Sequence, residues 1–185
     1  MTQDIHDLLA RISGNFPIRP VPIDIGRSTE APQVNAYFNG REWPTITVHS
    51  LLTEGKDKDG WGDVPAYPFF MNDEGYRYYL PAYMRMTLLE MNDENGWLLE
   101  TIISGLHKNH YQYTLQKEDG SLVRVDNFAQ RFSPFSSEQK RDIADFLYHQ
   151  IKHYGPKPVN YVRDNVLDVY ESYWHQFASD KTAQE

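Results

Sequence analysis

His149 and His153 stand four residues apart, the spacing at which two imidazoles on one helix can share a zinc ion. Asp142 and Asp145 fall on the same side, and at about 100° per residue all four lie within roughly an 80° arc off the apolar face. The stripe lacks the glutamate of an H-E-x-x-H site, so an exposed polar helix face is the expected reading. His107 and His110 share a helix end and receive the same reading. Asp57-Lys58-Asp59-Gly60-Trp61-Gly62-Asp63 looks calcium-like. An EF-hand loop takes acids at positions 1, 3 and 5, glycine at 6 and glutamate at 12. Aligning Gly60 to position 6 puts Gly55 at 1 and Ala66 at 12, so the first and last ligands are missing. A solvated acidic turn is expected there, and no metal or cofactor is expected anywhere.

Nucleophilic chemistry finds little material. The chain has no cysteine, and no G-x-S-x-G elbow occurs. Neither G-x-x-x-x-G-K-[ST] nor G-x-G-x-x-G is present, so no phosphate cradle is expected. The paired carboxylates Asp73/Glu74 and Asp93/Glu94 sit at helix starts, where the dipole favours anions, and Glu118/Asp119 fill a turn. The expectation is that no residue is catalytic. Tyr76, Tyr78, Tyr79, Tyr83, Trp97, Tyr111 and Tyr113 are numerous enough for a stacking platform on single strands. Such a platform needs a basic groove, and core packing is expected instead. Arg77 within this cluster is expected to pair a carboxylate or carbonyl, or to stack on a ring.

The elements that hold these residues follow from periodicity. Ile5, Leu8, Leu9, Ile12 and Phe16 trace one helix face, ended by Gly14 and Pro17. Residues 17–36 are punctuated by Pro17, Pro20, Pro22 and Pro32 and read as an extended segment anchored by Ile18, Val21, Ile23 and Ile25. A short helix over 45–54 precedes a loop over 55–68. A helix capped by Asn72 or Asp73 reaches about Met91, with Pro81 inside it as a kink or a break. A further helix follows Asn95, burying Leu98, Leu99, Ile102, Ile103 and Leu106. The period then changes to two over 111–126, where Asp119-Gly120 marks a β-hairpin. Ser136 and Gln139 form a capping box for a helix carrying Ile143, Phe146, Leu147, Gln150, Ile151 and Tyr154. A last helix over about 159–177 precedes a flexible polar tail at 179–185.

These elements predict a mainly α fold with minor β: one globular domain over 1–178, a bundle of five to six helices and one hairpin. The chain has 185 residues, 40% of them hydrophobic and 14% aromatic, enough for a sizeable core. Asp plus Glu number 26 against 18 Lys plus Arg, a net charge of -8. That balance argues against general nucleic-acid binding, whose affinity is mostly phosphate neutralisation. No apolar run approaches the ~18 residues of a membrane span, and no export signal is evident at the start. A soluble cytoplasmic protein without disulfides is expected.

The run Phe69-Phe70-Met71-Asn72-Asp73-Glu74-Gly75-Tyr76-Arg77-Tyr78-Tyr79-Leu80-Pro81-Ala82-Tyr83-Met84 resembles the signature F-[LM]-[ST]-x-E-A-[FY]-R-Y-Y-L-P-A-Y-[LM] of an uncharacterised bacterial family. This chain departs at Asn72, where the signature has Ser or Thr, and at Gly75, where it has Ala. A second block, Arg131-Phe132-Ser133-Pro134-Phe135-Ser136-Ser137-Glu138-Gln139, followed by Phe146-Leu147, is similar to the family's R-F-x-x-[LF]-[ST]-x-E-Q. The resemblance spans about residues 42–154 and implies a domain of unknown function with no catalytic residues to transfer. Arg77, Tyr78, Tyr79, Leu80, Pro81 and Tyr83 are read as its structural motif.

Small acidic proteins of this kind are found beside secreted bacterial toxins, so the resemblance raises an immunity role. The function expected is a cytoplasmic protein that occludes a cognate toxin, its partner a basic toxin domain steered by opposite charge. The expected contacts are Asp57, Asp59, Trp61, Asp63, Glu90, Asp93 and Glu94. A metal-assisted hydrolytic enzyme and a housekeeping adaptor are the alternatives.

Overall fold

The computed structural model describes residues 3–54, 68–90, 96–154 and 166–179. The chain forms two compact units, Met1–Ile102 and Ile103–Glu185. Among the described residues there are eight α-helices and one two-stranded sheet, so the fold is mainly helical with a minor β element.

In the first unit, α1 (Gln3–Asn15) buries Leu8 and Ile12 on the expected stripe, and Phe16 follows them into the core. The chain then runs extended to Gly26, but its anchoring differs from expectation. Ile25 is fully buried, whereas Ile18 and Ile23 are exposed and Val21 is only half-buried. Backbone bonds do the anchoring: Arg27 N–H donates to Phe70 O and Asn72 N–H to Ile25 O, each at 2.7 Å, bridging Gly26 to Met71. Glycine is required at position 26, where a Cβ would meet the Ala31 Cα at 2.5 Å.

The Pro-rich segment was expected to stay extended to residue 36. Instead the turn Ser28–Glu30 opens α2 (Ala31–Phe38), with Pro32 in its first turn. Proline is harmless there, because a first-turn N–H has no intrahelical partner to lose. The turn Trp43–Thr45 leads to α3 (Val48–Glu54), which begins later than the expected residue 45. Thr47 and Ser50 cap it reciprocally: Ser50 N–H donates to Thr47 Oγ1 and Thr47 N–H to Ser50 Oγ, both at 3.0 Å.

Helix α4 (Asp73–Glu90) is capped by Asn72, whose Oδ1 accepts from Gly75 N–H at 2.8 Å. It runs unbroken through Pro81, so the expected break there does not occur. Proline leaves the carbonyl four residues before it without its usual donor. Burial of every residue from Tyr78 to Met84 holds the helix together across that gap. Helix α5 (Trp97–Leu106) buries Leu98, Leu99, Ile102, Ile103 and Leu106 as expected.

In the second unit the turn Lys108–Tyr111 leads into strands β1 (Gln112–Gln116) and β2 (Leu122–Asp126). They pair antiparallel, Gln112 opposite Asp126 and Gln116 opposite Leu122. Lys117 N–H donates to Ser121 O, and Gly120 N–H to Lys117 O. Gly120 has φ +81°, the left-handed position that closes a three-residue hairpin loop. Helix α6 (Phe128–Phe132) was not expected. At α7 (Ser137–Tyr154) the capping box forms: Gln139 N–H donates to Ser136 Oγ at 3.2 Å and Ser136 N–H to Gln139 Oε1 at 3.0 Å. The predicted last helix is shorter over the described residues, as α8 (Val166–Ser172) followed by the tight turn Trp174–Phe177. Residues 159–165 of that prediction and the tail beyond 179 lie outside the described residues. Phe128, Phe132, Phe135 and Trp174 pack at the centre of this unit in tilted and edge-to-face pairs, and Trp174 Nε1–H donates to Leu106 O at 3.0 Å.

Candidate functional site

The motif on α4 is the natural place to look for a site. Its aromatic rings carry hydroxyls, and phenols can act as acids when burial tunes them. Tyr79 is fully buried, and its hydroxyl proton is shared between the Phe38 and Arg41 carbonyl oxygens, both at 2.8 Å. Desolvation, with the neighbouring Tyr78 adding to it, pushes this phenol far above its ordinary range. Tyr78 donates to Ile18 O, and burial pushes its phenol up as well, making it a weaker acid. Leu80, Pro81 and Tyr83 are buried, and Arg77 is half-buried. These hydroxyls hold the chain segments before α3 against α4. They are locked in the protonated state at neutral pH and serve packing.

Beside them lies a narrow apolar cavity lined by Met71, Tyr76, Tyr79, Leu80, Tyr83 and Ile102. Its free space is about 10 Å³, room for one water and far below the few hundred Å³ of a small-molecule site. A wider polar groove of about 450 Å³ opens in the second unit between Ser137, Arg141, Gln176 and Ser179.

The second block is likewise absorbed by the fold. Arg131, Phe132, Phe135 and Gln139 are buried, and Ser136 and Gln139 are the reciprocal cap of α7. The Arg131 guanidinium lies 5.5 Å from the Tyr111 ring centre.

The polar stripe on α7 is not the uniform exposed face expected from its helical angle. Asp142 is buried at 1% exposure, while Asp145 accepts from Ser179 N–H at 2.8 Å and from Ser179 Oγ–H at 2.6 Å. His149 and His153 stack 6.1 Å apart, and His107 and His110 stack at 5.2 Å. Among the described residues no three His, Asp or Glu side chains gather where a metal ion could sit.

Of the seven expected contact residues, only Glu90 is described. Its Oε2 accepts from the Val48 N–H at 3.0 Å and its Oε1 lies 3.7 Å from Arg85 Nη1, so it serves the first turn of α3. Asp57, Asp59, Trp61, Asp63, Asp93 and Glu94 lie outside the described residues. Asp73 and Glu74 are exposed at the head of α4.

The sequence pattern did not single out the exposure of the hairpin. Tyr113, Leu115, Leu122 and Val123 are 45%, 50%, 70% and 36% exposed. Alternation normally marks a half-buried strand. The available signal was the lack of any second β segment for the hairpin to join.

A family of unknown function, DUF6714, matches residues 65–178, more than half of the chain. The chain belongs to the DUF6714 family. No curated protein and no solved structure matches it. The DUF6714 match takes in α4 and both sequence blocks, and leaves α1, α2 and α3 outside. No described helix is long and apolar enough to cross a membrane.

Proposed function

We propose that this DUF6714 protein is an immunity-type protein, which binds a cognate bacterial toxin in the cytoplasm and neutralises it by occlusion. The observation that supports this reading is a division of labour between two conspicuous residue sets. The tyrosines of the α4 motif are buried and used for packing. The acids, which give the chain its charge of -8, lie outward at Asp4, Asp7, Asp24, Asp73 and Glu74. These outward acids are available to another molecule, and an acidic surface attracts a basic protein quickly. The proposed contacts remain Asp57, Asp59, Trp61, Asp63, Asp93 and Glu94, with Trp61 as an anchor between two glycines. Glu90 is assigned to holding α3.

The test is co-purification with the product of the adjacent gene, followed by on-rates for Asp57→Lys and Asp93→Lys. Each reversal at the contact surface slows association, and wild-type on-rates fall as salt rises past about 0.1 M, where screening acts within ~10 Å. If the neighbour is no toxin and nothing binds, the immunity role is wrong. Binding with unchanged on-rates in both reversals would leave occlusion standing but discard this acidic surface.

A further inference from the structure

Strand β1 pairs with β2 on one side, and among the described residues no other strand pairs with it. The bonds Lys117 N–H to Ser121 O and Asn127 N–H to Tyr111 O show which residues face β2: the odd-numbered ones. Alternation then turns the backbone groups of Gln112, Thr114 and Gln116 outward. The Gln112 N–H is already used, donating to Asn109 O. The outward edge therefore offers Gln112 C=O, with N–H and C=O from Thr114 and Gln116.

Such edges are usually guarded by lysine, proline or a bulge. The segment Gln112-Tyr113-Thr114-Leu115-Gln116 has none of these and no charge. It is also close to symmetric about Thr114: glutamine at both ends, an apolar residue on each side of the centre.

We infer that this edge is a self-association site, at which a second copy of the chain adds its own β1 antiparallel about a two-fold axis at Thr114. Thr114 of each copy donates to and accepts from its counterpart. Gln116 N–H of each donates to Gln112 C=O of the other, so the donor already used by Asn109 is not called upon. Odd residues share a face, so each row of the four-stranded sheet reads Val125, Tyr113, then Leu115 and Val123 of the second copy. That brings side chains that are 45%, 50% and 36% exposed in the single copy side by side.

Charge favours this occupant over others. The whole chain carries -8, which opposes contact between copies, but residues 108–126 hold three basic residues (Lys108, Lys117, Arg124) and three acidic ones (Glu118, Asp119, Asp126). The antiparallel register lays the acidic Glu118-Asp119 turn of one copy beside the Lys108 and His110 end of the other, twice. The edge is thus neutral and self-complementary on an acidic protein.

The chain has no cysteine, so Thr114→Cys introduces a lone thiol. Across a two-fold hydrogen-bonded pair the Cα atoms lie about 5.5 Å apart, within disulfide reach. Mild oxidation of the full chain is expected to link Thr114→Cys into a dimer, with little linkage for the control Leu122→Cys, which is 70% exposed. Wild type is expected to sediment as a dimer, and Thr114→Lys, which sets two ammonium groups against each other across the axis, as a monomer with unchanged circular dichroism. A wild type that stays monomeric from micromolar to millimolar concentration would overturn the inference. So would equal linkage at positions 114 and 122, or a dimer that survives Thr114→Lys. None of these readouts involves a toxin, so the result stands apart from the immunity role.

Discussion

Glu90 Oε2 accepts the Val48 backbone N–H at 3.0 Å, joining the end of α4 to the start of α3 across 42 positions of sequence. The first N–H groups of a helix have no partner within it, and a carboxylate there also meets the positive end of the helix dipole. Glu90→Ala is expected to lower stability by about 1 kcal/mol, and Glu90→Gln, which keeps an acceptor, by less. Urea midpoints measure both. An unchanged midpoint for Glu90→Ala would return Glu90 to the proposed contact surface.

Gly75 lies under Ile25: a Cβ at 75 would sit 2.6 Å from the Ile25 Cβ and 3.0 Å from its Cγ2. Helix propensity alone favours Ala over Gly by about 1 kcal/mol. Overpacking costs about 1–3 kcal/mol, and Ile25 is fully buried with little room to move. Gly75→Ala is therefore expected to destabilise, against propensity. In an Ile25→Gly background the same change becomes neutral or stabilising. Thermal unfolding of the four chains gives the sign, and a stabilised Gly75→Ala alone would refute the contact.

Tyr79→Phe keeps the ring and removes the proton shared by Phe38 O and Arg41 O. The expected loss is about 1–3 kcal/mol, the cost of leaving buried acceptors unpaired. The folded phenol ionises above the ordinary value of 10. Its contribution is therefore full below about pH 10 and is lost as pH rises toward the folded value. Wild type loses stability over that alkaline range, and Tyr79→Phe loses less. Denaturant unfolding at neutral and alkaline pH compares the two slopes.

Asp119 accepts from Ser121 N–H at 2.9 Å and Ser121 Oγ–H at 2.6 Å, which hold its carboxyl below the ordinary 3.8. A depressed acid contributes order that is full above its unfolded value and disappears as pH falls through the folded one. The hairpin loop is expected to loosen below about pH 4, seen as shifts of the Gly120 and Ser121 amide resonances. Asp119→Asn should remove that pH dependence. Shifts that persist in Asp119→Asn would assign the transition to another group.

Local grammar was the most legible part of the sequence. The Ser136–Gln139 box, the Asp119-Gly120 hairpin and the Asn72 cap each depend on neighbours within a few residues, and each stands where it was read. What escaped depends on distant partners. Ile25 and Ile23 look alike in sequence, yet one is fully buried and the other 68% exposed, because only the first meets α4. Pro32 was read as a breaker although it begins α2, since the same ring that ends a helix suits its first turn. Asp142 lay at a polar helical angle and is buried nonetheless. The α4 motif is buried at Tyr78, Tyr79, Leu80 and Tyr83, and its bonds to Phe38 and Arg41 span about forty positions, beyond the reach of local pattern.

The bridge between Gly26 and Met71 has a consequence for how this sequence can be divided. The shared family segment starts at residue 65, but the first unit reaches back to residue 1. Ile25, Phe38 and Trp43, all buried, therefore cover a helix that belongs to the family while lying outside the family's span. What is inherited as a block and what folds as a block have different borders here. A chain cut at residue 65 would keep the tyrosines of α4 and lose the carbonyls they bond, turning the most recognisable stretch of the protein into an exposed aromatic surface.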